Sequence, residues 1–229
     1  MKRRREVRAA LLLSARLGAA AAILVLAAIP IALIMLRVFR HGRLAGVDGR
    51  VARRLSGFAY QSSQGADRAE VVTRLGNWTV LAVVVVGVAG CLLAVRRRAD
   101  ALMLVGTFVT GIAVAAALKA VIATAKDAFV PPVAAGLDKS FPSGHAMNSA
   151  FLYGALLVVV LPALRPWVRV IAVGVTVGIV SAVAASRVAL GYHYVSDVIA
   201  GLLFGTAWLA ASVWAFSGWR RDVAPVQES

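Results

Sequence analysis

The sequence predicts an all-α integral membrane protein, a polytopic bundle of six transmembrane helices with one further interfacial helix in the first outer loop. Two observations support this prediction. Of the 229 residues, 61% are hydrophobic and only 15% are charged, which is too apolar for a soluble domain of this length. The apolar residues also fall into runs about long enough to cross ~30 Å of hydrocarbon at about 1.5 Å per residue.

Charged residues bound each expected span, and the spans cover residues 17–36, 78–95, 101–118, 146–164, 170–185 and 194–216. The first run has bilayer length and no small-residue cleavage site, which predicts an uncleaved helix. We therefore expect a basic cytoplasmic N-terminus at 1–16, a membrane domain at 17–216 and a cytoplasmic tail at 217–229. Between the first two spans, Val47–Tyr60 mixes charged and apolar residues at helical spacing, which predicts the interfacial helix.

Basic clusters set the expected orientation in the cell membrane. The net charge of +15 lies in short clusters between apolar runs, a pattern that favours contacts with membrane lipids over nucleic-acid binding. The clusters at 2–8, 96–98, 165–169 and 220–221 fall on one side, which should be cytoplasmic. The opposite loop, 37–77, also carries eight arginines. Either bound anionic lipid or a solvated helix face explains them.

Alternating spans place four ionisable residues at one face of the bilayer, which we expect to be the outer face. Lys119 ends the third span and His145 begins the fourth. Arg187 ends the fifth span and His193 begins the sixth. Ionisable groups beside apolar spans are costly, so this convergence indicates a functional site.

His193 and Asp197 are four residues apart at a helix start, so their side chains share a face. The carboxylate can then hold one ring nitrogen and leave the other free to attack an electrophile. An interfacial histidine with an unrelated acidic neighbour is the plain structural alternative.

The sequence Pro-Ser-Gly-His at 142–145 opens the fourth span. Free amide hydrogens at a helix start bind anions, and Gly144 lets an anion approach the backbone closely. We expect Pro142 in the first helical turn and Ser140 as the N-cap. His145 would stand beside a bound phosphate as a general acid. An ordinary capped helix start is the alternative.

Lys119 and Arg187 could neutralise charge that develops on a phosphoryl group, although snorkelling at a span end accounts for either one alone. Lys126 could add to this field, and we expect Lys139 to be solvated. With three histidines, one cysteine and no clustered carboxylates, no metal site is predicted. Cys91 lies inside an apolar run, which favours a buried, inert thiol.

Together these motifs resemble those of the type 2 phosphatidic acid phosphatase (PAP2) superfamily. The segments 142–145 and 186–197 match the family pattern without exception, and their order with one intervening span also fits. The family's first motif, a lysine followed after six residues by Arg-Pro, matches at Lys119 only. Lys126 and Asp127 occupy the Arg-Pro positions. Lysine keeps the charge but loses the planar fork that suits phosphate, and Asp127 adds a negative charge.

The resemblance implies a metal-free mechanism without a cofactor. His193 would attack phosphorus to form a phosphohistidine, Asp197 would orient it, and His145 would protonate the leaving group. The phosphate oxygens would be held by Lys119, Lys126, Arg187, Ser143 and the Gly144 amide.

The resemblance also implies a lipid phosphate as substrate. Bacterial relatives of this size favour undecaprenyl pyrophosphate at the outer face, and phosphatidic acid or phosphatidylglycerol phosphate is the alternative. A non-catalytic lipid-binding or transport protein with a degenerate site would fit the altered first motif. Vanadate-binding haloperoxidases share a similar constellation, but those relatives are soluble. The sequence does not indicate an oligomeric state.

Overall fold

A computed structural model of the chain describes residues 14–15, 18–26, 28–29, 32–34, 47–61, 63–129 and 141–223, and its regular elements there are helical. This confirms the all-α prediction. A short 3-10 turn, Leu161–Ala163, follows the helix Gly144–Val160. In chain order the labelled helices are α1 (Val47–Tyr60), α2 (Ser63–Arg74), α3 (Trp78–Ala94), α4 (Arg98–Phe129), α5 (Gly144–Val160), α6 (Pro166–Ala189) and α7 (Val195–Val223).

Within the described ranges, four helices are long and apolar enough to cross a membrane. They are α4 over Arg98–Ile122, α5 with the 3-10 turn, α6, and α7 over Val195–Ser217. A fifth span results if α2 and α3, bent by 48° at their joint, count as one broken span. The sequence predicts six. The first of those, 17–36, lies partly outside the described residues, which are helical at 18–26, 28–29 and 32–34.

Two predicted boundaries differ from the structure. Helix α4 continues past the expected end at residue 118 to Phe129, because the alanine-rich sequence after Lys119 contains no glycine or proline to stop it. Helix α2 was not predicted, because its sequence is polar on average and contains no long apolar run. It packs against the apolar helix α6.

Helices α5 and α7 make the closest contact in the bundle, backbone against backbone. A Cβ added to Gly201 would lie 2.5 Å from the carbonyl oxygen of Ser143, and one added to Gly205 would lie 2.5 Å from that of Met147. Small residues four positions apart permit such an approach between transmembrane helices. The contact aligns the start of α7 with the start of α5.

The apolar core lies around α5 and is shared with α3 and α4. Its fully buried side chains include Leu81, Leu104 and Phe151. At the opposite end from the start of α5, Arg97 donates from Nε to Asp100 Oδ2 at 2.7 Å and from Nη2 to the Val159 carbonyl at 2.8 Å. One arginine of the 96–98 cluster therefore also ties the start of α4 to the end of α5.

Helix α1 has the bounds that its periodicity predicts. Its residues Ala52 and Leu55 pack against a cluster formed by Ala146, Ala184, Val188 and Val198. Those four residues lie where α5 begins, α6 ends and α7 begins. Helix α1 therefore covers the end of the bundle to which the sequence motifs belong.

Candidate active site

The turn between α6 and α7 carries His193 back toward Arg187. Helix α6 ends at Ala189, and the chain reverses at Gly191, whose φ of +73° is in the left-handed region that favours glycine. The amides of Tyr192 and His193 both donate to the Arg187 carbonyl at 3.1 Å. The five residues between Arg187 and His193 are thus the last turn of a helix and its reversal.

The Asp197 carboxylate lies at the start of α7, between the backbone of Tyr194 and the ring of His193. Its Oδ2 accepts a hydrogen bond from the Tyr194 amide at 3.1 Å. This is one of the two bonds of a capping box, in which a side chain in the first helical turn accepts from the backbone amide of the N-cap residue. The same oxygen lies 3.6 Å from His193 Nδ1. Asp197 is 2% exposed and His193 is 9% exposed. The 3.6 Å separation exceeds a hydrogen bond, and catalytic contacts of this kind commonly tighten only when substrate binds.

The start of α5 differs from the sequence prediction. The N-cap is Ser143, whose carbonyl accepts from the Met147 amide at 3.0 Å, so Pro142 precedes the helix and is not in its first turn. Ser140, the expected N-cap, lies outside the described residues. The Ser143 amide donates to the Asp197 carbonyl at 2.9 Å. This bond joins the two motifs directly through their backbones.

Lys119 reaches the start of α5 from the neighbouring helix. Its Nζ lies 3.0 Å from where a Cβ on Gly144 would stand. The glycine therefore leaves the amine room above the first amides of α5. Ser143 is fully buried there, and its Oγ has no hydrogen-bond partner within the described residues.

His145 lies among the other ionisable residues. Arg187, His193 and Lys119 are all close enough to interact with it electrostatically. The structure thus brings together the four residues that alternating spans place at one face. A histidine, a histidine–aspartate pair and two cations surround an amide-rich helix start, which is an arrangement suited to binding and attacking a phosphoryl group.

Arg187 has contacts that the sequence analysis missed. Its Nη1 donates to Thr73 Oγ1 at 3.2 Å, and its guanidinium carbon lies 4.4 Å from the centre of the Tyr192 ring. Glu70 also lies within electrostatic range of Arg187. Thr73 and Glu70 stand in a polar segment without a motif, so no local signal distinguished them.

Gly76, at the joint of α2 and α3, was also missed. A Cβ there would lie 2.6 Å from Val183 Cγ1 and 3.1 Å from His145 Cβ. Nearby, the Tyr153 hydroxyl donates to the Leu75 carbonyl at 3.0 Å. The joint thus packs directly on His145.

Three further sequence expectations concern Lys126, Cys91 and a metal site. Lys126 lies on α4 seven residues beyond Lys119, on the same helix face and ~10 Å farther along, but its side chain and that of Asp127 lie outside the described residues, as does Lys139. Cys91 is exposed on the surface of the apolar helix α3 and is not packed inside the bundle. No group of three or more potential metal-ligating His, Cys, Asp or Glu side chains occurs in the described part of the chain.

The fold and the site together define a helical membrane protein with a histidine-based, cation-lined site at the ends of its spans. Residues 119–221 match the model of the PAP2 superfamily, so the chain carries a PAP2 superfamily domain. This confirms the family resemblance of the two motifs. Lys119, the first site residue in the chain, is also the first residue matched.

A curated protein and a solved structure, both from Bacillus subtilis, are similar to this chain. Phosphatidylglycerophosphatase B of strain 168 is 34% identical over 142 residues, which span 58% of this chain and 66%, just under two thirds, of the relative. The crystal structure of a transmembrane PAP2-type phosphatidylglycerolphosphate phosphatase matches with a TM-score of 0.69. That match covers 89% of this chain and 98% of the other at 21% identity, and it supports the membrane fold.

Proposed function

We propose that this protein is a lipid phosphate phosphatase that acts through a phosphohistidine on His193. The proposal depends chiefly on one observation. The buried pair of His193 and Asp197 is joined to the start of α5 by the Ser143–Asp197 backbone bond. This bond therefore fixes the position of the nucleophile relative to a helix start that can bind an anion. The PAP2 superfamily domain supports the same reaction class.

In the proposed first step, Nε2 of His193 attacks phosphorus in line while the bond to the lipid oxygen breaks. Nδ1 faces the Asp197 carboxylate, which fixes the tautomer and stabilises the cationic ring that forms. His145 gives a proton to the departing oxygen. In the second step His145 takes a proton from water, which attacks the phosphohistidine and releases inorganic phosphate.

The remaining site residues bind the phosphoryl oxygens. Lys119 and Arg187 carry positive charge, while the Ser143 hydroxyl and the Gly144 amide are hydrogen-bond donors beside them. Such preorganised donors stabilise the charge that spreads over these oxygens in the transition state. Lys126 would add charge from farther along α4. These groups supply the stabilisation that a metal would otherwise give, so we propose a metal-independent reaction without a cofactor.

For the substrate, we propose a glycerophospholipid monophosphate of the phosphatidylglycerol phosphate type. The expectation of undecaprenyl pyrophosphate depends on the family resemblance alone. The B. subtilis relative and the solved structure both carry names that specify phosphatidylglycerol phosphate, which favours the alternative substrate. A site at the ends of the spans admits a head group while the acyl chains stay in the bilayer. We further propose that it opens on the outer face of the cell membrane.

The test uses the purified full-length protein in detergent micelles. Release of inorganic phosphate is measured from phosphatidylglycerol phosphate, phosphatidic acid and undecaprenyl pyrophosphate, with and without a chelator. We expect the first substrate to be hydrolysed fastest, and at the same rate with chelator. His193→Gln should abolish release, because the amide cannot form a phosphohistidine. His41→Gln, at a histidine outside both motifs, is the matched control and should be active.

Each other outcome changes a specific part of the proposal. Fastest release from undecaprenyl pyrophosphate would restore the polyprenyl substrate. Loss of release with chelator would remove the metal-free mechanism. If no lipid phosphate is hydrolysed, the non-catalytic alternative replaces the phosphatase.

A further inference from the structure

Arg187 is held by a side chain that lies outside both sequence motifs and outside the matched PAP2 residues. Its Nη1 donates to Thr73 Oγ1 at 3.2 Å. Thr73 stands in α2, near the end of that helix, and is 3% exposed. The bond spans 114 positions of the chain. It therefore links the proposed phosphate-binding arginine to a helix whose sequence carries no recognisable site motif.

The geometry of this contact matches the needs of a phosphate ligand. A guanidinium has five N–H donors in a fixed plane, and the Thr73 hydroxyl takes only one of them. The Tyr192 ring supports the guanidinium from another side, at 4.4 Å. With one edge and one face fixed, the remaining donors are available to a phosphate in a defined orientation.

A negative charge on α2 supports the contact between Arg187 and Thr73. Glu70 lies one turn before Thr73, on the same face of α2, and interacts electrostatically with Arg187. A long arginine side chain loses rotamer entropy when a ligand immobilises it. Partners that hold the side chain beforehand reduce this cost at the moment of binding.

We propose that Thr73 is a positioning residue for phosphate binding, because its hydroxyl fixes the plane of the Arg187 guanidinium. The proposal rests on the proposed phosphatase function and assigns a part of the site to α2. It also gives a role to the 48° bend between α2 and α3, because the end of α2 next to this bend lies at the level of Arg187.

Two substitutions at residue 73 separate the effect of the hydroxyl from the effect of side-chain volume. Thr73→Val keeps the shape and removes the hydroxyl, whereas Thr73→Ser keeps the hydroxyl and removes the methyl group. We expect Thr73→Val to lower kcat/KM for phosphatidylglycerol phosphate roughly tenfold, the usual cost of losing a hydrogen bond to a charged group. Thr73→Ser should stay within about twofold of the native protein.

Product inhibition gives a readout that a purely structural role would not change. The inhibition constant of inorganic phosphate should rise in Thr73→Val by a similar factor to the loss in kcat/KM, with an unchanged melting temperature. Thr110→Val is the matched control, because Thr110 is an exposed threonine on α4 whose hydroxyl donates to the Gly106 carbonyl of the same helix. It should match the native protein in both measurements.

Several results would overturn the proposal. They are full activity in Thr73→Val, equal loss in the Val and Ser variants, and loss in Thr73→Ser alone, which would indicate packing. Failure of the phosphatase function is a separate outcome, in which the native protein releases no phosphate. The role of Thr73 is then tested by the rise in melting temperature that inorganic phosphate causes. We expect a smaller rise in Thr73→Val than in the native protein, and an unchanged rise in Thr73→Ser. An equal rise in all three proteins, or no rise in the native protein, would reject the role.

Discussion

Asp197 has a structural task and a proposed chemical task, and both involve the same oxygen atom. Oδ2 caps the Tyr194 amide and faces His193 Nδ1. The two tasks require different properties. Capping needs only an oxygen acceptor, whereas stabilising a cationic imidazole needs a negative charge. An amide at this position therefore separates them.

We predict that Asp197→Asn folds normally but turns over substrate roughly 10²–10⁴ times more slowly, the range typical of acid–base and positioning groups. The asparagine oxygen still caps α7, while the charge that supports the phosphohistidine is lost. Phosphate release and thermal unfolding are the two measurements. The exposed Asp67→Asn is the control. A large fall in melting temperature with Asp197→Asn would mean that its charge is needed for folding.

The site residues differ in how far the sequence could predict them. His193, Asp197, His145 and Arg187 stand in local patterns, and the spacing of each pattern corresponds to a helix end or a helix turn. Thr73 meets Arg187 only through the tertiary packing of α2 on α6, for which a single sequence carries no signal. The same holds for Gly76.

At the scale of helices, the contact between α5 and α7 controls the alignment of the two motifs. The start of each helix carries one histidine of the site. Gly201 and Gly205 bring the two backbones together close to these starts. A side chain at either glycine would separate the helices and move His145 away from His193.

We predict that Gly205→Ala lowers stability by about 1–3 kcal/mol, the usual cost of overpacking, and reduces phosphate release as well. Its Cβ would lie 2.5 Å from the Met147 carbonyl oxygen and 2.9 Å from Ala150 Cβ, neither of which can rotate away. Thermal unfolding in detergent and the phosphate assay measure the two effects.

Gly174→Ala on α6 is the matched control, since nothing lies within 4 Å of its added Cβ. It should be neutral or slightly stabilising, because alanine favours a helix. Equal melting temperatures for both variants would show that α5 and α7 can separate without cost.

The helices themselves were predicted unevenly. Periodicity gave the bounds of α1, and apolar runs located α3 to α7, with the largest shift at the end of α4, which lies at Phe129 instead of 118. Helix α2 and the N-cap of α5 were missed. Both are stabilised by tertiary contacts, α2 by α6 and Ser143 by the Asp197 carbonyl, and these outweigh local preference.

For the whole molecule, the direction of the spans decides which compartment the site faces. Helix α6 has 24 residues, about 36 Å, which is enough to cross the bilayer. Arg165 lies at one end of this helix and Tyr192 at the other, beside His193. The basic clusters predict that the end with Arg165 is cytoplasmic.

We predict that a membrane-impermeant maleimide added to intact cells labels Tyr192→Cys but not Arg165→Cys, each in a Cys91→Ser background. Tyr192 and Arg165 are both exposed, so access depends on the compartment rather than on burial. Labelling after cell lysis is the control and should modify both variants. The reverse pattern in intact cells would place the site on the cytoplasmic side.

The fold and the proposed reaction class follow from the sequence at this scale, but the substrate does not. A phosphate group has the same shape and charge on many lipids, so the motifs that bind it carry little information on the lipid. The preference for phosphatidylglycerol phosphate over undecaprenyl pyrophosphate comes from the relatives, not from a residue of the site.

The hydrogen bond from the Ser143 amide to the Asp197 carbonyl has an evolutionary consequence. It joins main chain to main chain, so it does not depend on the chemistry of the side chain at position 143, although proline would remove the amide. A small replacement that fits this buried position can therefore change the side chain beside the phosphate without losing the registry of the two histidines. A lineage that acquired a different head-group preference would inherit the same catalytic frame unchanged.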